Sequence, residues 1–254
     1  MIFKIAHICY CGDAVKAKKQ LGILGYRLVF SERVRPMGIT QSHLSGHVEE
    51  FGMSLWTRPG GISTELLEFE NYSQHEGLIR PLLSAKMPGV VSAIDEEKTS
   101  QLNKSEYLPA AFLGCPAYVK LGSIIEGPLL LDSFLLFSPD VSQSVHFWRT
   151  LGLDCIESSN MYGILRHRCT FTRKDFFIHI CKSSQVETAQ EDVNSPGFHV
   201  LGLISNSASH ERKRMMSSGI EVTPIEQITI NEKRLTIFYS RSPEGLITEI
   251  ISLT

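Results

Sequence analysis

An internal repeat constrains this chain more than any other feature of it. Residues 7–26 read HICYCGDAVKAKKQLGILGY: a short apolar strand, Asp13 in the position of a helix cap, an amphipathic helix, and Gly25 as its stop. Residues 133–153 read SFLLFSPDVSQSVHFWRTLGL, with Asp140 as the cap and Gly152 as the stop. Cap and stop are twelve residues apart in both copies, and the copies are offset by 127, half of the chain's 254 residues. A sharper match links RPGGISTELLEF (58–69) with SPEGLITEIISL (242–253). Each has a Pro-x-Gly turn, then an alternating strand carrying Thr-Glu, so Glu65 and Glu249 hold equivalent positions.

TRKDFFIHICKS (172–183) is a weaker copy of that ending and puts His179 in the place of Glu65. GFHVLGLISNSASHERKRMMSSGIEV (197–222) is another strand and helix opening, with its strand over 198–204, Gly219 as the helix stop and a new strand from Ile220. The pattern is strand, helix, then two or three strands, in units near 1–70, 88–128, 131–182 and 196–254. The second unit is contracted, with PGVVSAIDEEKTSQLNK (88–104) as its strand and helix and 71–87 as a linker before it. Glu126-Gly127-Pro128 is the turn expected between two domains, 1–128 and 129–254.

Twenty-five basic residues against 27 acidic ones give a net charge of −2, and no block of five like charges occurs. That leaves no electrostatic footprint for nucleic acid or an anionic membrane surface. No apolar run approaches the ~18 residues of a spanning helix, and the amino terminus lacks a basic region ahead of an apolar one, so a cytoplasmic protein is expected. Six cysteines without a Cys-x-x-Cys pair read as reduced thiols. Phosphate-cradling loops, Gly-x-Ser-x-Gly elbows, His-Glu-x-x-His helices and dinucleotide fingerprints do not occur.

The order and spacing of HICYCGDAVKAKKQLGILGY, RPGGISTELLEF, SPDVSQSVHFWRTLGL with GFHVLGLIS, and IFYSRSPEGLITEII resemble the vicinal oxygen chelate superfamily, the glyoxalase-like proteins. The resemblance implies an α+β fold of tandem βαβββ units in two glyoxalase-like domains, the first degraded. It also implies a divalent metal held in a cup by the first and last strands of paired units, left open to chelate two adjacent substrate oxygens. Carried over position by position, it places His179, His199 and Glu249 as metal ligands in the second half, with Ser133 at the pocket where a stronger ligand is common. In the first half it places His7 and Glu65 in a second or vestigial site.

Strand parity puts His179 with Phe177 and Cys181, His199 with Leu201 and Leu203, and Glu249 with Ile247 and Ile251. A soft-metal site of His7, Cys9 and Cys11 is disfavoured, because same-face neighbours on one strand are ~7 Å apart. The ligand set suits Zn, Fe(II), Mn, Ni or Co without choosing among them. The functions so implied are a metal-dependent lyase, isomerase or epimerase of a small oxo- or carboxy-bearing metabolite, an Fe(II) ring-cleaving dioxygenase, or a non-catalytic protein that sequesters a drug or metabolite. A small-molecule ligand is common to all three, and the superfamily's sheet edges allow a homodimer.

Overall fold

A computed structural model describes residues 2–36, 38–71, 80–86, 107–113, 115–120, 127–170, 174–183 and 192–253. The first unit comprises β1 (Ile2–Cys11), α1 (Ala14–Ile23), β2 (Arg27–Val34), the short α2 (Gly38–Ser42), β3 (Phe51–Thr57) and β4 (Ser63–Glu68). β5 (Arg80–Lys86), β6 (Tyr107–Phe112) and β7 (Cys115–Lys120) follow, with β5 inside the stretch expected to be a linker. The strand and helix expected over 88–104 lie outside the described residues. The third unit is β8 (Gly127–Ser138), α3 (Val141–Thr150), β9 (Asp154–Ser158), β10 (Tyr162–Arg168) and β11 (Asp175–Lys182). The fourth is β12 (Gly197–Ser205), α4 (Ala208–Ser217), β13 (Glu226–Ile230), β14 (Lys233–Arg241) and β15 (Ile247–Leu253). The strand expected from Ile220 begins only at Glu226, after a lone bridge between Val222 and Ser240.

The caps read from the sequence are made. Asp13 accepts from the Lys16 amide at 3.0 Å and Asp140 from the Gln143 amide at 3.1 Å, each satisfying one of the orphan donors of a first helical turn. Gly25 and Gly152 take φ of +79° and +90°, conformations that end the helices and that a side chain would strain. None of the helices among the described residues is long and apolar enough to cross a membrane.

Pairing departs from the order of the halves. The first and fourth units share an eight-stranded sheet, β13-β14-β15-β12-β1-β4-β3-β2, while β5 to β7 join the third unit in a seven-stranded sheet, β6-β7-β5-β8-β11-β10-β9. The division expected near 128 falls at the start of β8, and each sheet draws strands from both sides of it. β1 runs antiparallel to β12, and each is flanked by the parallel last strand of its own unit, β4 and β15.

Alternation along these strands sorts two cores. Ile8, Tyr10, Leu66, Phe238 and Ile250 join Phe134, Ile178 and Trp148 in one core that takes in both sheets and the buried faces of α1, α3 and α4. Cys9, Cys11, Leu67, Tyr239 and Ile247 face the other way. That second face curls on itself, because the sheet's two edges meet. The Asn231 amide donates to both Glu32 carboxylate oxygens at 3.2 and 3.3 Å, and the Ile39 amide donates to Glu226 Oε2 at 3.2 Å.

Candidate metal centre and pocket

Where the four central strands cross, their inward side chains converge. β1 supplies His7 and Cys9, β4 supplies Glu65 opposite Cys9, and β15 supplies Glu249 opposite Gly202 of β12, itself the partner of His7. His7 Nε2 lies 3.6 Å from Glu65 Oε2 and 3.4 Å from Glu249 Oε2. The Cys9 thiol donates to Glu65 Oε2 at 3.0 Å. Tyr239 of β14 donates to Glu249 Oε1 at 3.4 Å and shares a hydrogen bond with Thr40 Oγ1 at 3.2 Å. His7 and Glu65 are only 7% and 9% exposed, and the cluster forms the floor of a cavity of about 690 Å³.

Burial and mutual charge set the protonation states. Burial alone would lower the His7 pKa, but Glu65 and Glu249 outweigh it and raise it to about 8. Burial pushes Glu65 up, and Glu249 adds to this against the opposing pull of His7. Cys9 and Tyr239 are raised well above their ordinary values, first by burial and then by the carboxylates, so both remain neutral donors.

The residues that the sequence grouped are not brought together. His179 stands on β11 of the seven-stranded sheet, opposite Leu135 and Ile164, and so belongs to a different sheet from Glu249. Ser133 is in that other sheet too, beside Phe177, with its hydroxyl donating to Asp132 at 3.1 Å. His199 is in the right strand but three residues from Gly202, about 10 Å along β12. A bulge there pairs Tyr10 with Phe198 and Cys9 with Val200, so His199 falls between them and strict alternation fails. Its side chain meets Cys11 rather than Leu201 and Leu203. Nδ1 donates to the Gly197 carbonyl at 3.1 Å, Nε2 is 3.7 Å from Cys11 Sγ, and burial depresses its pKa to about 4.

What the structure assembles instead is His7 and Glu65 with Glu249. Strand spacing disfavours a site of His7, Cys9 and Cys11, yet Glu65 from the adjacent strand takes the place of Cys11, and ligand atoms of His7, Cys9 and Glu65 lie within 4.8 Å of one another.

Across nearly its whole length the chain superposes on glyoxalase I from Zea mays, with a TM-score of 0.63 over 98% of this chain and 92% of that one at 12% identity. A putative dioxygenase from Bacillus subtilis aligns at a TM-score of 0.62 over 99% and 85% of the two chains, at 13% identity. The chain has the vicinal oxygen chelate fold. No family model matches the chain, and no curated protein matches it by sequence.

A divalent metal is what the vicinal oxygen chelate fold implies, and this donor set fits one. His7 Nε2 is buried without a hydrogen bond of acceptable geometry, although two carboxylate oxygens face it. Ligands held at about 2.0–2.2 Å from one ion sit roughly 3.0–3.6 Å from each other, the spacing of His7 Nε2 from either carboxylate. The position on β12 equivalent to His7 is Val200, which offers no donor and leaves that side open.

Proposed function

We propose that the protein is a metal-dependent enzyme of the lyase, isomerase or epimerase kind acting on a small oxo- or carboxy-bearing metabolite, with His7, Glu65 and Glu249 holding the metal. The observation that carries this reading is the buried His7 Nε2, unbonded and 3.4–3.6 Å from two carboxylates, on the floor of a ligand-sized cavity. The metal, when bound, supplies a Lewis acid that polarises two adjacent substrate oxygens. Around it, the Cys9 thiol orients Glu65 by donating to Oε2. The Tyr239 hydroxyl, held between Thr40 and Glu249, keeps a proton at the cavity floor. The apolar wall of Phe51, Met53 and Leu67 excludes water from the reacting centre. One imidazole and two carboxylates differ from the two imidazoles and one carboxylate typical of oxygen-activating iron, which counts against ring cleavage.

Elemental analysis of untagged protein, after dialysis against divalent ions, tests the centre. About one metal per chain is expected, lost in His7→Ala and Glu249→Ala and retained in His179→Ala. Retention of metal in His7→Ala would refute the assignment. A specific observation favours a second reading, a metal-free pocket that sequesters its ligand: His7 Nε2 faces a carboxylate oxygen of Glu65 at 3.6 Å and of Glu249 at 3.4 Å, a spacing that an imidazolium ion pair also satisfies. Stoichiometric ligand binding by metal-stripped protein is the result that reading requires.

A further inference from the structure

We propose that the mouth of this cavity is an anion subsite, and that the substrate is an acid whose chelating head reaches the floor while a distal carboxylate stays at the rim with Lys4 and Arg35. The inference rests on the chelating centre proposed above. A bulge between Ile5 and His7 resets the alternation of β1, so that Lys4, three residues from His7, lines the same cavity instead of joining Ile5 and Ile8 in the core. On the partner strand the two positions face Ile204 and Gly202, which sets Lys4 about 7 Å from His7 along the strand, with its ammonium reaching farther toward the rim.

Arg35, just beyond β2, and Lys233, at the start of β14, line the same opening. Other charges at the rim are already engaged: Arg33 pairs with Glu50 at 2.5 Å, and Glu32 accepts the Asn231 amide. Among the described residues no ion pair involves Lys4, Arg35 or Lys233. The wall between floor and rim is largely apolar, including Phe30, Val34 and Leu235. Head, apolar body and distal anion thus follow the pocket's own sequence of surfaces.

Calorimetric titration of zinc-loaded and metal-free protein with 2-oxooctanoate and 2-oxooctanedioate tests this, since the two probes differ only in the distal carboxylate. The dicarboxylate should bind about tenfold tighter to the loaded wild type, with a preference that shrinks as ionic strength rises. Lys4→Met combined with Arg35→Met should erase the preference and leave 2-oxooctanoate binding unchanged; Lys4→Arg should keep it. Equal affinities in the wild type, no binding of the dicarboxylate, or a preference that survives the double variant would overturn the subsite. A tenfold preference that is the same with and without zinc would support the subsite and count against the metal centre, so the two readings fail separately.

Discussion

Gly202→Ala is the sharpest probe of the centre, because it moves a proposed ligand without touching one. Gly202 faces His7 across β1 and β12, within ordinary strand backbone that alanine adopts freely. A Cβ there would collide with His7 Cε1 and Nε2 and lie 2.9 Å from Cδ2. Carbon contacts are comfortable at about 3.5–4.0 Å, so the ring must withdraw by roughly 1 Å. The imidazole borders the cavity and has room to retreat, which places the stability cost at the lower end of the roughly 1–3 kcal/mol typical of overpacking. The metal is less forgiving: a working site holds its ligands to within about 0.5 Å, and losses of about 10–100-fold in affinity are expected from such displacement. Zinc affinity measured by competition with a chromophoric chelator, beside thermal unfolding of the metal-free protein, separates the two effects. Wild-type zinc affinity in Gly202→Ala would refute the placement of His7 as a ligand.

Three further outcomes follow from local structure. In α1, Gly22 has open space where a Cβ would go, so Gly22→Ala should stabilise the protein by about 0.5–1 kcal/mol in urea unfolding. Glu232, in the turn between β13 and β14, has φ of +62°, and Glu232→Gly should gain about 0.5 kcal/mol by relieving that strain, read as a higher midpoint. His199 makes the fold acid-sensitive. The unfolded chain protonates this ring near pH 6.5 and the folded chain only near 4, so between these values the unfolded state binds more protons and stability falls as pH falls. The loss reaches about 3 kcal/mol below pH 4 and is absent above 6.5, and His199→Gln should remove that part of the urea-midpoint dependence.

The elements were legible where their causes are local. Asp13 and Asp140 cap helices within three residues of themselves, and Gly25, Gly152 and Gly219 end them with positive φ. The equivalence of Glu65 and Glu249 was legible for the same reason, since each follows its own Pro-x-Gly turn. Sheet partnership was not. Four units of similar pattern can pair in more than one order, and nothing in the alternation of β1 says whether its open edge takes β8 or β12. Grouping His179 with Glu249 followed from assuming that neighbours in sequence share a sheet, and the observed pairing of first unit with fourth sends them to different sheets. His199 was misplaced by a smaller effect: parity holds along a regular strand, and one bulged residue reverses it.

The same register explains why a duplicated architecture yields a one-sided centre. Cys9 stands beside Glu65 as Gly202 stands beside Glu249, and Cys9 pairs with Val200 as His7 pairs with Gly202. The first unit therefore contributes His7, Cys9 and Glu65, while the fourth contributes Val200, Gly202 and Glu249. Had the fourth unit kept a donor in place of Val200, four ligands would close around an ion and leave less room for substrate oxygens. With valine there, β12 contributes no donor, and the proposed ligands come from β1, β4 and β15 around it. Gly202 completes the asymmetry, since only a residue without a side chain lets the His7 ring lie across the strand boundary toward Glu249. Substrate oxygens would thus approach over Val200, and enlarging that side chain, as in Val200→Phe, should weaken ligand binding while leaving metal content unchanged.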